Sequence, residues 1–82
     1  MRQMEFKMER LGLLEVGQRL PVKEFALPNS YYYVLGSAYA MSGNYTTLQR
    51  LKSTEGLVSD VRETPRGYYV TVDFDEEDID PV

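Results

Sequence analysis

The sequence contains no cysteine, no histidine and no tryptophan. Without cysteine, neither a disulfide nor a thiolate metal site can stabilise the fold. Because histidine is also missing, a histidine-based catalytic triad, a thiolate nucleophile and a structural zinc site cannot be assembled from this chain. A glycine-rich phosphate loop is missing too, since Gly12 and Gly17 are not followed by Gly-Lys-Ser/Thr. We therefore expect no enzymatic activity and no cofactor.

Long apolar runs are also missing. The first twenty residues mix charges with Met and Leu, and no uninterrupted apolar stretch reaches the length of a signal peptide or a membrane span. Together with the absence of cysteine, this composition predicts a cytoplasmic protein that does not associate with a membrane.

Negative charge is concentrated at one end of the chain. The net charge of the 82 residues is −4, but residues 73–82 contain six acids and no base, which leaves the rest of the chain near +2. The run Asp73–Asp78 imitates the start of a calcium loop, yet Asp78 occupies the position that requires glycine, so we expect no metal site. The length predicts one small β-rich domain over residues 1–75, and the charge run predicts a mobile acidic tail over residues 76–82.

Residues 31–41 form the only stretch that is dense in apolar and aromatic side chains and free of charge. In an extended chain alternate side chains point to opposite faces, and here both faces are apolar. The pattern predicts one strand that is covered on both sides, with the C-terminal hairpin packed over it. Gly36, in the middle, predicts a bulge or a sharp bend.

Residues 1–11 match two patterns. Met1, Met4 and Met8 recur at helical spacing, whereas Met4, Phe6 and Met8 alternate with charged residues as in a half-buried strand. Because the segment to Arg10 has no Pro or Gly and is rich in good helix formers, a helix is slightly favoured.

Two further segments are less regular. Residues 16–23 alternate as a strand that Pro21 should end or place at a sheet edge, and residues 23–25 predict a short turn. In residues 45–53, Thr46 and Gln49 have the spacing of a helix capping box, but the aromatic and β-branched residues nearby favour a strand. We interpret this second segment as a strand or an irregular extended chain.

The C-terminal third predicts a β-hairpin. Its turn, residues 64–67, has the sequence Thr-Pro-Arg-Gly, in which proline suits a φ near −65° and glycine suits a positive φ. A three-residue bulged loop would place charged residues opposite apolar ones. A four-residue loop would place Val61 opposite Val70 and Leu57 opposite Phe74, and we favour it because a buried face determines the register.

The segments Gly-Leu-Val-Ser-Asp-Val, residues 56–61, and Gly-Tyr-Tyr-Val-Thr-Val-Asp-Phe-Asp, residues 67–75, resemble the later strands of small SH3-like barrels. There, a Gly-x-Val strand turns into a strand that ends in an acidic residue after an aromatic one. The resemblance implies a partly open barrel that binds peptides, other proteins or nucleic acid. The fold class that we expect is mainly β (β-rich α+β): a small partly open SH3-like barrel or a strongly twisted sheet, with one short helix or helical turn.

The seven tyrosines are the candidate binding residues. Exposed Tyr and Arg are enriched in protein interfaces, so we interpret the chain as a non-enzymatic protein-interaction domain. Its partner is another protein or a second copy paired through an open sheet edge. The partner-binding candidates are Tyr31, Tyr32, Arg66 and Tyr69.

The alternative is a barrel that binds single-stranded nucleic acid, because bases stack on exposed aromatic rings beside cations. Against this, a near-neutral body with an acidic end is a poor electrostatic match to phosphate. The candidates for this alternative are Arg50, Lys52, Arg62, Arg66, Tyr68 and Tyr69.

Overall fold

The computed structural model describes residues 1–78. It contains six strands, β1 (Arg2–Met8), β2 (Arg19–Ala26), β3 (Tyr31–Leu35), β4 (Ala40–Ser42), β5 (Glu55–Thr64) and β6 (Gly67–Phe74), and one 3-10 turn at Thr47–Gln49. The strands form a closed antiparallel barrel in the order β1-β4-β3-β2-β5-β6, and β6 returns to β1. The expectation of a mainly β barrel with one helical turn is confirmed. The barrel is closed rather than partly open, so within residues 1–78 every strand pairs with two others and none is left as an open sheet edge for self-association.

The interior of the barrel is a single apolar core. It is filled by alternate side chains of the strands and by Leu14 and Leu51 from the loops, and Phe6 and Phe74 meet with ring centroids 6.2 Å apart. The buried apolar residues are Met4, Phe6, Met8, Leu14, Tyr33, Leu35, Ala40, Leu51, Val58, Val70, Val72 and Phe74.

The N-terminal segment is a strand, so the helix favoured from its composition is wrong. Buried and exposed residues alternate strictly along β1, and the strand pairs with β4 on one side and with β6 on the other. The alternation of Met4, Phe6 and Met8 was the informative pattern, because burial inside a sheet outweighs intrinsic helix propensity.

Residues 31–41 are two strands rather than one. β3 ends at Leu35, residues 36–39 turn the chain, and β4 begins at Ala40. Gly36 and Ala38 both have positive φ, at 59° and 65°, which produces the reversal. One face of β3 is buried, through Tyr33 and Leu35, and its neighbours are β2 and β4 instead of the C-terminal hairpin.

β2 changes its partner at Pro21. Residues up to Pro21 pair with β5, and residues from Val22 pair with β3, so Pro21 lies where the ladder switches sides. The turn predicted over residues 23–25 is wrong, because these residues continue β2. Residues 45–53 are mostly irregular, as expected, but they include the 3-10 turn, in which the Gln49 side chain accepts a hydrogen bond from the Thr46 N–H.

The hairpin register is correct near the turn and shifts beyond it. Val61 lies opposite Val70 as predicted, but a bulge between Val58 and Asp60 moves Leu57 opposite Asp73 rather than Phe74. Gly56 takes the place beside Phe74, and a side chain there would lie 2.6 Å from the Phe74 ring. The bulge therefore leaves room for the large aromatic residues in the core.

The predicted tail is only partly visible. Its first residue, Glu76, is held against the barrel by the backbone N–H groups of Lys52 and Ser53 and by the Ser53 hydroxyl. Residues 79–82 of the predicted tail lie outside the described residues. The division of the chain into a domain and a tail stays a prediction.

Candidate functional site

One row of side chains crosses the outside of the barrel near the β5–β6 turn. The strand registers place Arg62 opposite Tyr69, Tyr69 opposite Lys7, and Lys7 opposite Met41. Residues that are opposite one another on the same face lie about 5 Å apart. The row, together with Arg66 from the turn, is the hairpin-end surface.

Two depressions adjoin on this surface, and Arg66 contributes to both. The smaller has a volume of about 350 Å³ and is lined by Glu5, Arg62, Thr64, Pro65, Arg66 and Tyr69. The larger, which we call the Met41 groove, has a volume of about 770 Å³ and is lined by Lys7, Met8, Glu9, Met41, Ser42, Arg66, Gly67 and Tyr68.

In the smaller depression, the charge of Arg62 is already compensated by neighbouring acids. Arg62 forms ion pairs with Glu5 and with Asp60, donates to the Thr71 hydroxyl at 2.9 Å, and lies 6.0 Å from the centre of the Tyr69 ring. Because its charge is already compensated, Arg62 has little left for a phosphate or a carboxylate from outside.

The Met41 groove is different. Met41, in the middle of β4, is 53% exposed. Lys7 and Arg66 lie beside it, and neither forms an ion pair with any residue between 1 and 78. The groove thus combines an exposed apolar floor with two available cations and one acid, Glu9.

The turn geometry positions these two cations. The Arg66 N–H donates to the Thr64 hydroxyl at 3.1 Å, which fixes the turn backbone. Gly67 has a φ of 134°, and a side chain there would come within 3.0 Å of the Lys7 Cε, so the Lys7 stem crosses directly over this glycine. Glycine at position 67 therefore allows Lys7 and Arg66 to border the same groove.

A polar network occupies the other end of β1 and β6. Arg2 is only 2% exposed; its guanidinium donates to the carbonyls of Gln49 and Arg50 at 2.6 and 3.2 Å and lies 3.5 Å from the Glu76 carboxylate. Tyr45 provides an aromatic face 5.6 Å from the guanidinium centre. Partial burial raises the pKa of Glu76, but hydrogen bonds from Ser53 and Lys52 and the charge of Arg2 outweigh it, and the net pKa is lowered.

Tyr33 connects this network to β2. Its hydroxyl donates to Glu24 at 2.7 Å and accepts the Leu51 N–H at 2.8 Å, and burial followed by the Glu24 contact raises its pKa to about 12. The Arg50 guanidinium binds both oxygens of Glu24, lowering the pKa of that carboxyl, and stacks 4.4 Å from the Tyr31 ring centre. These groups are paired with one another, which is typical of a structural network rather than a reaction centre.

The structure divides the predicted binding residues into two groups. Tyr31, Arg50 and Lys52 lie at the Arg2 end, whereas Arg62, Arg66, Tyr68 and Tyr69 lie at the hairpin end. Tyr32 belongs to neither group, since it stacks on Phe25 with ring centroids 5.2 Å apart. The six residues of the nucleic-acid alternative therefore do not form one platform.

Sequence reasoning missed Lys7 and Met41 in the site and Arg2 in the network. Lys7 and Met41 come from strands that are distant in the chain, and only their pairing in the barrel brings them together. The alternation in β1 already placed Arg2 on the same face as Met4 and Phe6, which was a signal for a buried arginine.

No protein-family model, no curated protein and no solved structure matches this chain. Between residues 1 and 78, no group of three or more acidic, histidine or cysteine side chains is arranged to hold a metal ion. No helix in that range is long and apolar enough to cross a membrane. The surface geometry is therefore the basis for a functional proposal.

Proposed function

We propose that this chain is a non-catalytic protein-interaction domain that binds an extended segment of a protein partner in the Met41 groove. The observation that carries the proposal is the exposed Met41 opposite the unpaired cation Lys7, with the unpaired Arg66 lining the same groove. Methionine adapts to different apolar shapes and is frequent on peptide-binding surfaces. The two cations select a segment that carries carboxylates next to apolar side chains.

The size of the groove supports a peptide rather than a flat protein surface. Its volume of about 770 Å³ lies within the range of sites that hold a short peptide or a small ligand. The resemblance of the hairpin to SH3-like barrels is in keeping with peptide binding, although a shared barrel does not determine function.

Single-stranded nucleic acid is the less favoured occupant. Its candidate cations at the hairpin end are Arg62, which is paired with Glu5 and Asp60, and Arg66, while Arg50 is paired with Glu24 at the opposite end. A phosphate backbone is bound by a continuous line of available cations, which this surface does not offer.

Methionine methyl resonances test the proposal directly, because the chain has only four methionines. The protein labelled with ¹³C at the methionine methyl groups is titrated with an octapeptide of alternating aspartate and isoleucine. We expect the resonance of Met41, which is exposed in the groove, to shift, and that of the core residue Met4 to stay. In separate titrations, a lysine–isoleucine octapeptide tests a ligand of opposite charge, and oligothymidylate tests single-stranded nucleic acid.

Matched variants assign the binding to the groove. Met41→Ala should weaken peptide binding by about tenfold, since losing the contact of one exposed apolar side chain costs about 1–1.5 kcal/mol. Leu48→Ala removes a side chain that is 84% exposed on the 3-10 turn and should leave the affinity unchanged. Equal binding of the lysine–isoleucine peptide, or a Met41 shift with oligothymidylate alone, would contradict the proposal.

A further inference from the structure

The chain itself contains a segment with the chemistry that the Met41 groove selects. Of its acids, six lie in residues 73–82, where there is no base. The Asp73 carboxylate accepts hydrogen bonds from Gln3 at 2.8 Å and from Ser59 at 3.0 Å. The Glu76 carboxylate forms an ion pair with Arg2 and accepts a hydrogen bond from the Ser53 hydroxyl. The segment beyond, residues 77–82, has the sequence Glu-Asp-Ile-Asp-Pro-Val, which alternates carboxylates with apolar side chains.

The described start of this segment lies at the other end of β6 from the hairpin turn that borders the groove. Gly67 and Phe74 are the two ends of β6, which lie about 23 Å apart at about 3.3 Å per residue. Asp78 lies beside Lys52 at the Phe74 end, and the groove lies at the Gly67 end.

We propose that residues 77–82 of one copy bind the Met41 groove of a second copy. This inference rests on the proposed function and names the partner of the same site. In the contact, carboxylates of the segment pair with Lys7 and Arg66, and its apolar side chains cover Met41. The complementary charges lie at opposite ends of β6, so the association is head-to-tail.

Head-to-tail geometry has a distinctive consequence. Each copy offers one groove and one acidic segment, and the two surfaces differ, so a pair of copies keeps one free groove and one free segment. Such heterologous contacts continue into longer assemblies unless they close into a ring. A two-fold dimer, by contrast, would stop at two copies.

Sedimentation velocity of the full chain at increasing concentration provides the test. We expect the mass to rise from the 9.5 kDa monomer to two copies and beyond, and the rise to weaken at high salt because the contact is charged. Asp78→Asn/Asp80→Asn and Lys7→Gln/Arg66→Gln should each be monomeric. The matched control Glu15→Gln/Glu55→Gln removes the same number of acidic charges outside the segment and should assemble like the wild type.

Mixing the two monomeric variants gives the sharpest result. The first variant retains its groove and the second retains its segment, so an equimolar mixture should form a 1:1 dimer and nothing larger. A wild type that stays monomeric up to 1 mM, or an Asp78→Asn/Asp80→Asn variant that assembles normally, would overturn the inference. If the aspartate–isoleucine octapeptide still shifts Met41 in those cases, the proposed function stands while this partner is rejected.

Discussion

Arg2 is the residue whose replacement should most damage the fold without touching the apolar core. Its guanidinium is buried and gives one hydrogen bond to each of the carbonyls of Gln49 and Arg50, and it is the counter-charge of Glu76. We consider Arg2→Met, which keeps an unbranched apolar stem and removes the guanidinium with its charge and its donors.

The structure indicates a loss of about 3 kcal/mol in the free energy of unfolding. Two partly buried carbonyls lose hydrogen bonds from a charged donor, at about 1–1.5 kcal/mol each after methionine packing is credited. Glu76 also loses its ionic partner, but it is 12% exposed and keeps three hydrogen bonds from Lys52 and Ser53, so that part is below the 3–5 kcal/mol of a fully buried pair. For a domain of this size, 3 kcal/mol corresponds to a decrease in Tm of about 12–24 °C.

Urea denaturation followed by tyrosine fluorescence measures the loss, with Arg19→Met as the matched control. Arg19 is ion-paired with Glu55, yet both side chains are 59% exposed, so the same substitution should cost less than about 0.5 kcal/mol. If Arg2→Met and Arg19→Met unfold at urea midpoints that agree within error, the buried network does not hold the barrel end and the reasoning fails.

Two further experiments test the core packing at Gly56 and the pH dependence that Glu76 and Glu24 give to the stability. Gly56→Ala should destabilise the barrel by about 1–3 kcal/mol, because the new methyl would lie 2.5 Å from Val72, whereas Gly43→Ala, which meets nothing within 4 Å, should be nearly neutral by thermal denaturation. Both Glu76 and Glu24 have a lowered pKa in the folded state, so the stability they contribute is complete above the ordinary value of 4.5 and is lost as the pH falls through the folded pKa. Urea midpoints between pH 6 and pH 3 should therefore fall less in Glu76→Gln than in the wild type, and equal slopes would contradict this assignment.

The parts of the fold that local chemistry determines could be predicted from the sequence. The turn at residues 64–67 and the pairing of Val61 with Val70 follow from proline, glycine and two matching apolar faces. The shift at Val58 could not be predicted, because it depends on the space that Phe74 requires in the finished core. At Gly36 the sequence predicted a bulge or a sharp bend, but the continuous apolar pattern of residues 31–41 concealed that the chain reverses there into a second strand.

Only those residues of the candidate site that lie close together in the sequence could be predicted. Arg66 and Tyr69 were identified because a hairpin turn exposes its residues wherever the hairpin lies. Lys7 and Met41 were missed because each belongs to an ordinary strand pattern, and they become neighbours only through the β1–β4 pairing. A binding surface made from several strands carries no signal in any one of them.

The polar network that stabilises the barrel and the groove that we propose as a binding site lie at opposite ends of β1. Arg2 and Met8 are the two ends of β1, about 20 Å apart at about 3.3 Å per residue; the polar network surrounds the first, and the second lines the Met41 groove. Because the network at the Arg2 end is internally paired, it stabilises the fold and has little charge left to bind with. The cations Lys7 and Arg66 are unpaired within residues 1–78 and border the groove in which Met41 is exposed. The exposed part of the Met41 side chain is removed from water only when a partner covers it, which is the physical reason why we propose binding at this end.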